Sequence, residues 1–434
     1  ADTSQEAPAS KSGSSSLIWL RSIKLKTEVT VIGGGAAGLM AAITAKKNGR
    51  DVVILERKDR ILKKVLVTGN GRCNLSNVNA TNENYFGIEK QKQDINHILN
   101  NFLPTDVIDF FENKVGIICN EESRGKLYPL SGQAASIVDG LRFYAQNLGI
   151  PIYTDFYVTK VTKEMFEFKI FSEDKRQINS KKIILATGGI SYPELGSNGS
   201  GYQIAENFGH SLTKLVPTIV QLKTEKHKIK GLRGIKLDAK VSAFGKNEDK
   251  FEKICTYEGE LLFTDYGISG NVVFNISFVF PLYKEVEFEV DFMPKFDYNN
   301  LFTILKKRRE ILKNMTMEQY FNGMINKKLG QFLTKMSGIP KLSKNISELT
   351  DNEIKKICTI LKKYKIKILD TNGFKNAQVT AGGIPLSEIN LENLESKKTK
   401  GFYFAGEVMD VYGECGGFNL HWAWASGKFA GENV

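Results

Sequence analysis

Apolar positions along the chain change their period several times, and the changes mark the elements. Glu28 to Ile32 (EVTVI) and Asp51 to Glu56 (DVVILE) are short β-branched runs and read as buried strands. Between them Leu39 to Asn48 is rich in Ala and reads as a helix that Gly49 ends. Residues 85–150 read as helical with breaks. Pro104 opens one helix, whose apolar face is Val107, Phe110 and Phe111, and Ala134 to Asn147 is another. Glu122 to Pro129 (ESRGKLYP) lies between them as a basic loop. Pro151–Phe156, Val158–Lys163 and Phe166–Phe171 predict the strands of a meander, and Lys181–Ala186 predicts a buried strand returning to a parallel sheet. From about residue 200 the texture changes. Gln221–Thr224, Lys236–Phe244 and Val286–Phe292 suggest a small antiparallel sheet or barrel. Residues 298–368 read as helical, with a capping box at Thr350 to Glu353. Gly401 to Ala405 is a last strand, and a final helix follows Gly416-Gly417-Phe418.

This order predicts an α/β protein whose sheet domain is interrupted and then resumed. A leader at 1–27, Ser/Ala-rich and then apolar and basic, is expected to be disordered. Residues 28–200 and 376–434 form a Rossmann-type domain. Residues 201–375 are an insertion, β-rich to 297 and then helical. Its junctions, 196–201 and 371–373, are rich in Gly, Ser and Asn.

The first strand runs into Gly33-Gly34-Gly35-Ala36-Ala37-Gly38, which contains G-x-G-x-x-G with Gly33, Gly35 and Gly38 in the three places. The motif has a strand before it, a helix after it and Glu56 eighteen residues beyond, so it is specific for a dinucleotide. The helix start at Ala36 and Ala37 offers N–H groups to a pyrophosphate. Glu56 suits ribose hydroxyls and disfavours a 2′-phosphate.

Other loops carry further chemistry. Thr68 to Asn74 (TGNGRCN) is built of turn formers around one cation, Arg72, with Lys64 nearby to reach phosphate or a ring carbonyl. Thr187-Gly188-Gly189 again lets backbone approach a ligand at the sheet's carboxyl edge. Gly406-Glu407 ends a strand, and Gly417 opens a helix. A carboxylate and a helix N-terminus so placed suit the ribityl and pyrimidine end of a flavin.

Composition narrows the class. The 434 residues are 41% hydrophobic with a net charge of +12. No apolar run approaches the roughly 18 residues that a membrane helix needs. Five cysteines without C-x-x-C spacing argue for a reducing, cytoplasmic setting and against disulfides or zinc. Cys73 and Cys415 are expected to be small packed residues near the ring, not a redox pair. Four histidines show no metal spacing. Sixteen Lys/Arg against six Asp/Glu in residues 301–370 concentrate the charge there. No RNA-binding motif accompanies them, so a solvated face is expected.

The stretches VIGGGAAG, VTGNGRCNLSN, ATGGISYP, LLFTDYGISG, VTAGGI and FAGEVMDVYGECGGFNLHWAWASG occur in this order. Together they resemble the YhiN/BaiN-like family of bacterial FAD-dependent oxidoreductases, which includes aminoacetone oxidase. The resemblance spans residues 28–432. It implies a discontinuous FAD domain of glutathione-reductase type with an inserted barrel-like and helical domain. It implies FAD contacts at Gly33, Gly35, Gly38, Glu56, Arg57, Gly71, Arg72, Cys73, Asn74, Val158, Ala186, Thr187, Gly188, Gly406, Glu407, Asp410, Phe418 and Asn419. The family usually has His where Asp265 stands, Pro at Asn271, Gln at His421 and Asp at Tyr412. Asp265, in the turn TDYG, and His421 are the candidate acid/base groups. The expected activity is hydride transfer between FAD and a small organic substrate, as in an aminoacetone-type amine oxidase with O₂ as acceptor. The alternatives are an NAD(P)H-dependent reductase of an activated double bond and a flavin-containing RNA-modifying or RNA-binding protein.

Overall fold

The computed structural model describes residues 24–88 and 95–434. The first 23 residues of the expected leader lie outside them. The first strand is longer than expected, Lys24–Ile32, because K-L-K-T-E-V continues the alternation back from Glu28. Its first residues pair in parallel with Gln177 to Ser180.

A mixed sheet is the frame. Its parallel centre runs Phe402–Phe404, Gln177–Leu185, Lys24–Ile32, Val52–Leu55 and Ile152–Tyr153. Val29 pairs with Val52 on one side and with Lys182 on the other, so three strands end level at Ile32, Leu55 and Leu185. The strands Val158–Glu164 and Glu167–Ser172 form a hairpin on the lower half of Gln177–Leu185. Ile152–Tyr153 instead joins the parallel sheet, so the expected three-strand meander is two strands only.

The helix Ala36–Lys47 packs on the parallel strands, and the C-terminal helix Phe418–Asn433 packs against it. They approach closely because small residues meet. A Cβ on Gly427 would lie 2.4 Å from the carbonyl oxygen of Ala37, and one on Gly431 would lie 2.4 Å from that of Ala41. Trp422 and Trp424 of the same helix are buried, and their indole N–H groups donate to the Gly406 and Leu75 carbonyls.

The expected basic loop at 122–129 is a β-hairpin. Cys119–Glu122 pairs with Lys126–Pro129 around a tight turn at Ser123–Gly125. The K-L-Y-P alternation makes the strand, and Gly125 at φ +71° serves the turn.

The second lobe is a closed six-stranded barrel. Around the ring its strands are Leu222–Thr224, Gly267–Ser269, Lys250–Phe263, Lys236–Asn247, Val286–Asp291 and Tyr364–Thr371. The last of these corrects the reading of 298–368 as helical. Tyr364, Ile366 and Ile368 are buried and alternate with exposed lysines, which is strand periodicity. Three helices, Tyr298–Ile311, Lys327–Met336 and Asp351–Lys362, fill the connection between the last two strands. The expected capping box is present, with the Thr350 and Glu353 side chains each bonded to the other's backbone N–H.

Each lobe has its own apolar core. Tyr202, Ile204 and Ala205 still pack in the core of the sheet, and the barrel core takes over at Val216. The two passages of chain between the lobes pair as antiparallel strands, Val216–Thr218 with Val379–Ala381. Among the described residues no helix is long and apolar enough to cross a membrane.

Candidate functional site

A cavity of about 700 Å³ lies between the carboxyl edge of the parallel sheet and the barrel. Its floor is the glycine loop. Gly33 has φ +111°, its N–H donates to Leu55, and a Cβ there would lie 2.4 Å from the Ala186 carbonyl oxygen. A Cβ on Gly38 would lie 1.9 Å from the Gly33 carbonyl oxygen, so this glycine is needed for packing and sits behind the cavity. Gly35 differs. It lines the cavity and a Cβ on it would meet nothing within 4 Å. The helix it caps has no side-chain cap bond, so the N–H groups of its first turn face the cavity at Ala36 and Ala37.

Glu56 closes the second strand and lines the cavity. One oxygen accepts from the Gly34 amide at 2.9 Å and the other from the Lys58 amide at 2.8 Å. Burial raises its pKa against these two amide bonds. Its remaining lone pairs face the space. Arg57 beside it has a buried guanidinium nitrogen with no partner, and its guanidinium stacks on Tyr157 at 5.1 Å. Val158, Ala186, Thr187 and Gly188 complete this end, with the Thr187 hydroxyl buried and unpartnered.

At the other end Glu407 pairs with Lys64 at 2.7 Å and accepts from the Thr380 amide. Lys63, which also lines the cavity, pairs with Asp59. Asn74 lines the wall with a buried, unpartnered carbonyl oxygen. Gly417 caps the C-terminal helix at φ +101° without a side-chain cap bond, and it lines the cavity with Asn419. The Asn419 amide braces the loop before it through Gly413 and Glu414.

Several expected contacts stand elsewhere. Arg72 lines the cavity, but its guanidinium forms a two-point pair with Glu122 and stacks on Tyr128 at 4.3 Å, so it is not free for phosphate. Cys73 is fully buried off the cavity, and burial pushes its thiol up to about 12. Gly71 is exposed on the outer side of its turn. Gly406 donates to Ser426 behind the wall. Asp410 is buried there too and accepts the Ile88 amide at 2.9 and 3.0 Å. Phe418 backs the helix start against Tyr85. These five positions shape the walls without lining them.

Neither acid/base candidate reaches the cavity. Asp265 is in a solvated turn with its side chain 61% exposed, 3.6 Å from Arg233. The turn closes on itself from Thr264 to Gly267, which aims Asp265 outward. Asp265→Asn will therefore leave FAD content and turnover within twofold of wild type, and a tenfold loss would return it to the site. His421 is fully buried behind the helix start. Its Nδ1 meets the Ser76 hydroxyl at 2.9 Å, its Nε2 has no partner, and burial pushes its pKa down to about 4. It stays neutral and donates no proton to the cavity.

Sequence reasoning missed the wall opposite the glycine loop. Lys126 and Tyr128 alternate on the hairpin strand and both face in. Glu260, Leu262, Ser269, Asn271 and Asn275 come from the barrel, and Gln378 from the link strand region. The signals were indirect: LLFTDYGISG carries Leu262 and Ser269 but drew attention to Asp265, Asn271 stood out only as a departure from the family pattern, and Lys126 and Tyr128 were read within a basic loop.

The open cradle at Gly35, the unpaired helix start and the orphaned polar atoms on Arg57, Asn74 and Thr187 fit an elongated ligand with phosphates in its middle and hydrogen-bonding groups at both ends. FAD is such a ligand.

Comparison with known proteins agrees. The HI0933-like protein Rossmann domain family matches residues 27–433. The chain is 37% identical over 410 residues to a 3-dehydro-bile acid delta(4,6)-reductase of Clostridium scindens, covering 93% of this chain and 98% of that one. It is 29% identical over 403 residues to a ribosomal RNA dihydrouridine synthase of Escherichia coli, covering 92% and 96%. Among solved structures it is similar to a 3-ketosteroid-delta4-(5alpha)-dehydrogenase from Rhodococcus jostii RHA1, at 14% identity and TM-score 0.48 over 94% of this chain and 96% of that one. The chain belongs to the HI0933-like Rossmann family and is an FAD-dependent oxidoreductase.

Proposed function

We propose that this enzyme reduces a carbon–carbon double bond conjugated to a carbonyl, with electrons from a nicotinamide nucleotide. The carrying observation is the wall that faces the flavin end of the cavity. Lys126 and Tyr128 sit two residues apart on one face of a strand and both line the space. No carboxylate pairs with Lys126, and no group bonds the Tyr128 hydroxyl, among the described residues. An ammonium and a phenol so placed stabilise negative charge building on a carbonyl oxygen. The same ammonium repels a cationic amine, which disfavours aminoacetone. The names of the two curated relatives describe reductions of this kind, on a 3-oxo steroid skeleton and on uracil.

FAD, when bound, supplies the hydride. The chain's own residues position it. The amides of Ala36 and Ala37 and the cradle at Gly35 would hold the pyrophosphate, Glu56 the adenosine ribose, and Arg57 the adenine end. The Lys64–Glu407 pair would hold the ribityl chain, and the helix start at Gly417 would stabilise negative charge on the pyrimidine side. Glu56→Ala should weaken FAD binding by about 1–3 kcal/mol, the cost of lost charged-acceptor hydrogen bonds. Titration of apoprotein with FAD measures it, and an unchanged affinity would remove Glu56 from the ribose.

The deciding test is anaerobic. Holoprotein reduced with NADPH or NADH is mixed with 3-oxo-4-cholenoic acid or with a uracil-bearing RNA transcript. Oxidised holoprotein is separately mixed with aminoacetone. Return of the oxidised flavin spectrum with an acceptor supports the proposal. Bleaching by aminoacetone, with neither acceptor reacting, overturns it.

A further inference from the structure

Reduction of a conjugated double bond consumes a proton as well as a hydride. An acid that protonates carbon has to stand over that carbon, apart from the groups that hold the carbonyl oxygen. The cavity narrows the choice of donor. Glu407 is paired with Lys64, Glu260 with Lys236, and Arg72 with Glu122. Glu56 and Tyr157 stand at the far end, beside Arg57. Among the described residues no histidine lines the space, since His421 is sealed behind the helix start. At the end beside Gly417 three acidic protons remain, on Lys126, Tyr128 and Cys415.

Cys415 lies directly before the Gly416-Gly417 helix start, and its loop is fixed from both lobes. The Glu414 amide donates to the Asn84 carbonyl at 3.1 Å, and the Asn419 side chain donates to the Glu414 carbonyl at 3.1 Å. Asn77 donates to the Gly416 carbonyl at 2.9 Å. From the barrel, the Tyr257 hydroxyl donates to the Glu414 carboxylate at 2.6 Å. The backbone on either side of Cys415 is therefore held, which sets where the thiol stands. Cys415 is partly exposed, lines the cavity and forms no disulfide. Its thiol has no hydrogen-bond partner among the described residues.

The surroundings suit a donor. Burial pushes the thiol up to about 11, so it keeps its proton at neutral pH. Lys126 acts the other way. Its Cε lies 3.7 Å from where a Cβ on Gly416 would stand. An ammonium there favours the thiolate that is left once the proton has gone.

We propose that Cys415 is the acid that protonates the α carbon of the substrate's double bond. The role rests on the double-bond reduction proposed above. The hydride from the reduced cofactor forms the new C–H bond at the β carbon. The π pair moves toward the α carbon and the carbonyl oxygen, and Lys126 and Tyr128 offset the charge on oxygen. The S–H bond of Cys415 then breaks, and its proton forms the second C–H bond, at the α carbon. The thiolate stays beside Lys126 until water returns the proton. The double bond gains the two electrons, and the sulfur is neither oxidised nor reduced.

The test uses full-length FAD-loaded protein, reduced anaerobically in deuterium oxide, with the two acceptors named above, 3-oxo-4-cholenoic acid and the uracil-bearing transcript. Wild type should place deuterium on one face of the α carbon. Cys415→Ala should slow flavin reoxidation by the acceptor on the order of a hundredfold or more, the effect of a lost general acid. Its residual product should carry deuterium on both faces. Reoxidation by ferricyanide, which puts no proton on carbon, should stay within twofold, and so should FAD affinity. Tyr128→Phe should slow reduction yet keep the deuterium on one face. A further measurement needs no turnover: iodoacetamide added to the apoprotein should alkylate Cys415, and faster as the pH rises, while the buried Cys73 stays unlabelled in peptide mass spectra.

Four results overturn the role of Cys415 alone. They are an alanine variant that matches wild type in rate and in deuterated face, an equal loss with ferricyanide, scrambled deuterium in Tyr128→Phe but not in Cys415→Ala, and a thiol that iodoacetamide does not reach. Wild-type protein that reduces neither acceptor overturns the reaction, and the acid role with it.

Discussion

Gly35→Val will leave the chain folded and remove its FAD. The two halves of this expectation have separate causes. Gly35 has ordinary extended backbone, φ −80° and ψ −170°, which valine adopts readily. A Cβ there meets no protein atom within 4 Å, so the apoprotein accepts the side chain without moving. The space it enters is the cavity floor beside Ala36 and Ala37, whose backbone amides are the proposed pyrophosphate site. An isopropyl group in that position holds the phosphate off the amides and costs at least a hundredfold in affinity, about 2.7 kcal/mol. The purified variant should be colourless, keep the far-ultraviolet circular dichroism of wild-type apoprotein, and gain no thermal stability from added FAD. A yellow variant would place the pyrophosphate elsewhere. Gly38→Val is the contrasting case. Its Cβ falls 1.9 Å from a backbone oxygen, so that variant should fail to fold at all.

The difference between these two glycines was already written in the motif, and it shows what kind of information the sequence held. The loop, its flanking strands and Glu56 are contiguous, and local spacing fixes local geometry. The Lys64–Glu407 pair joins residues 343 apart, and only closure of the interrupted sheet brings them together. Arg72 illustrates the limit. Its motif pointed to a ligand, but a carboxylate on a hairpin strand 50 residues on takes its guanidinium, and a loop reading of 122–129 hid that partner. The strand Tyr364–Thr371 was obscured in the same way. Its lysines continue the composition of the helix before it, and only the alternation of Tyr364, Ile366 and Ile368 gives it away. Asp265 and His421 stood out by residue type, which says nothing about direction. The turn aims one outward, and the helix buries the other against Ser76.

His421 nevertheless has a measurable consequence. A neutral imidazole is sealed behind the start of the C-terminal helix, with its Nε2 unpartnered and its pKa pushed by burial from 6.5 down to about 4. Below pH 6.5 the unfolded chain takes up a proton at this position, and the native chain does not. Stability is therefore fully present above 6.5 and falls as the pH drops toward 4. Linkage at 1.36 kcal/mol per unit makes the loss about 2 kcal/mol between pH 7 and pH 5. His421→Gln removes the titration. The glutamine amide keeps a hydrogen-bonding group near Ser76 and cannot be protonated, so the variant should lose stability less steeply in acid. At pH 7 it should lie within about 1 kcal/mol of wild type, the worth of one hydrogen bond. Urea unfolding of both FAD-saturated proteins at pH 7 and pH 5 gives the difference, and other acid-sensitive groups cancel because both chains contain them. An equal loss of stability in the two proteins would mean that the imidazole reaches solvent and titrates normally, and the buried pocket behind the flavin-end helix would then be open to water.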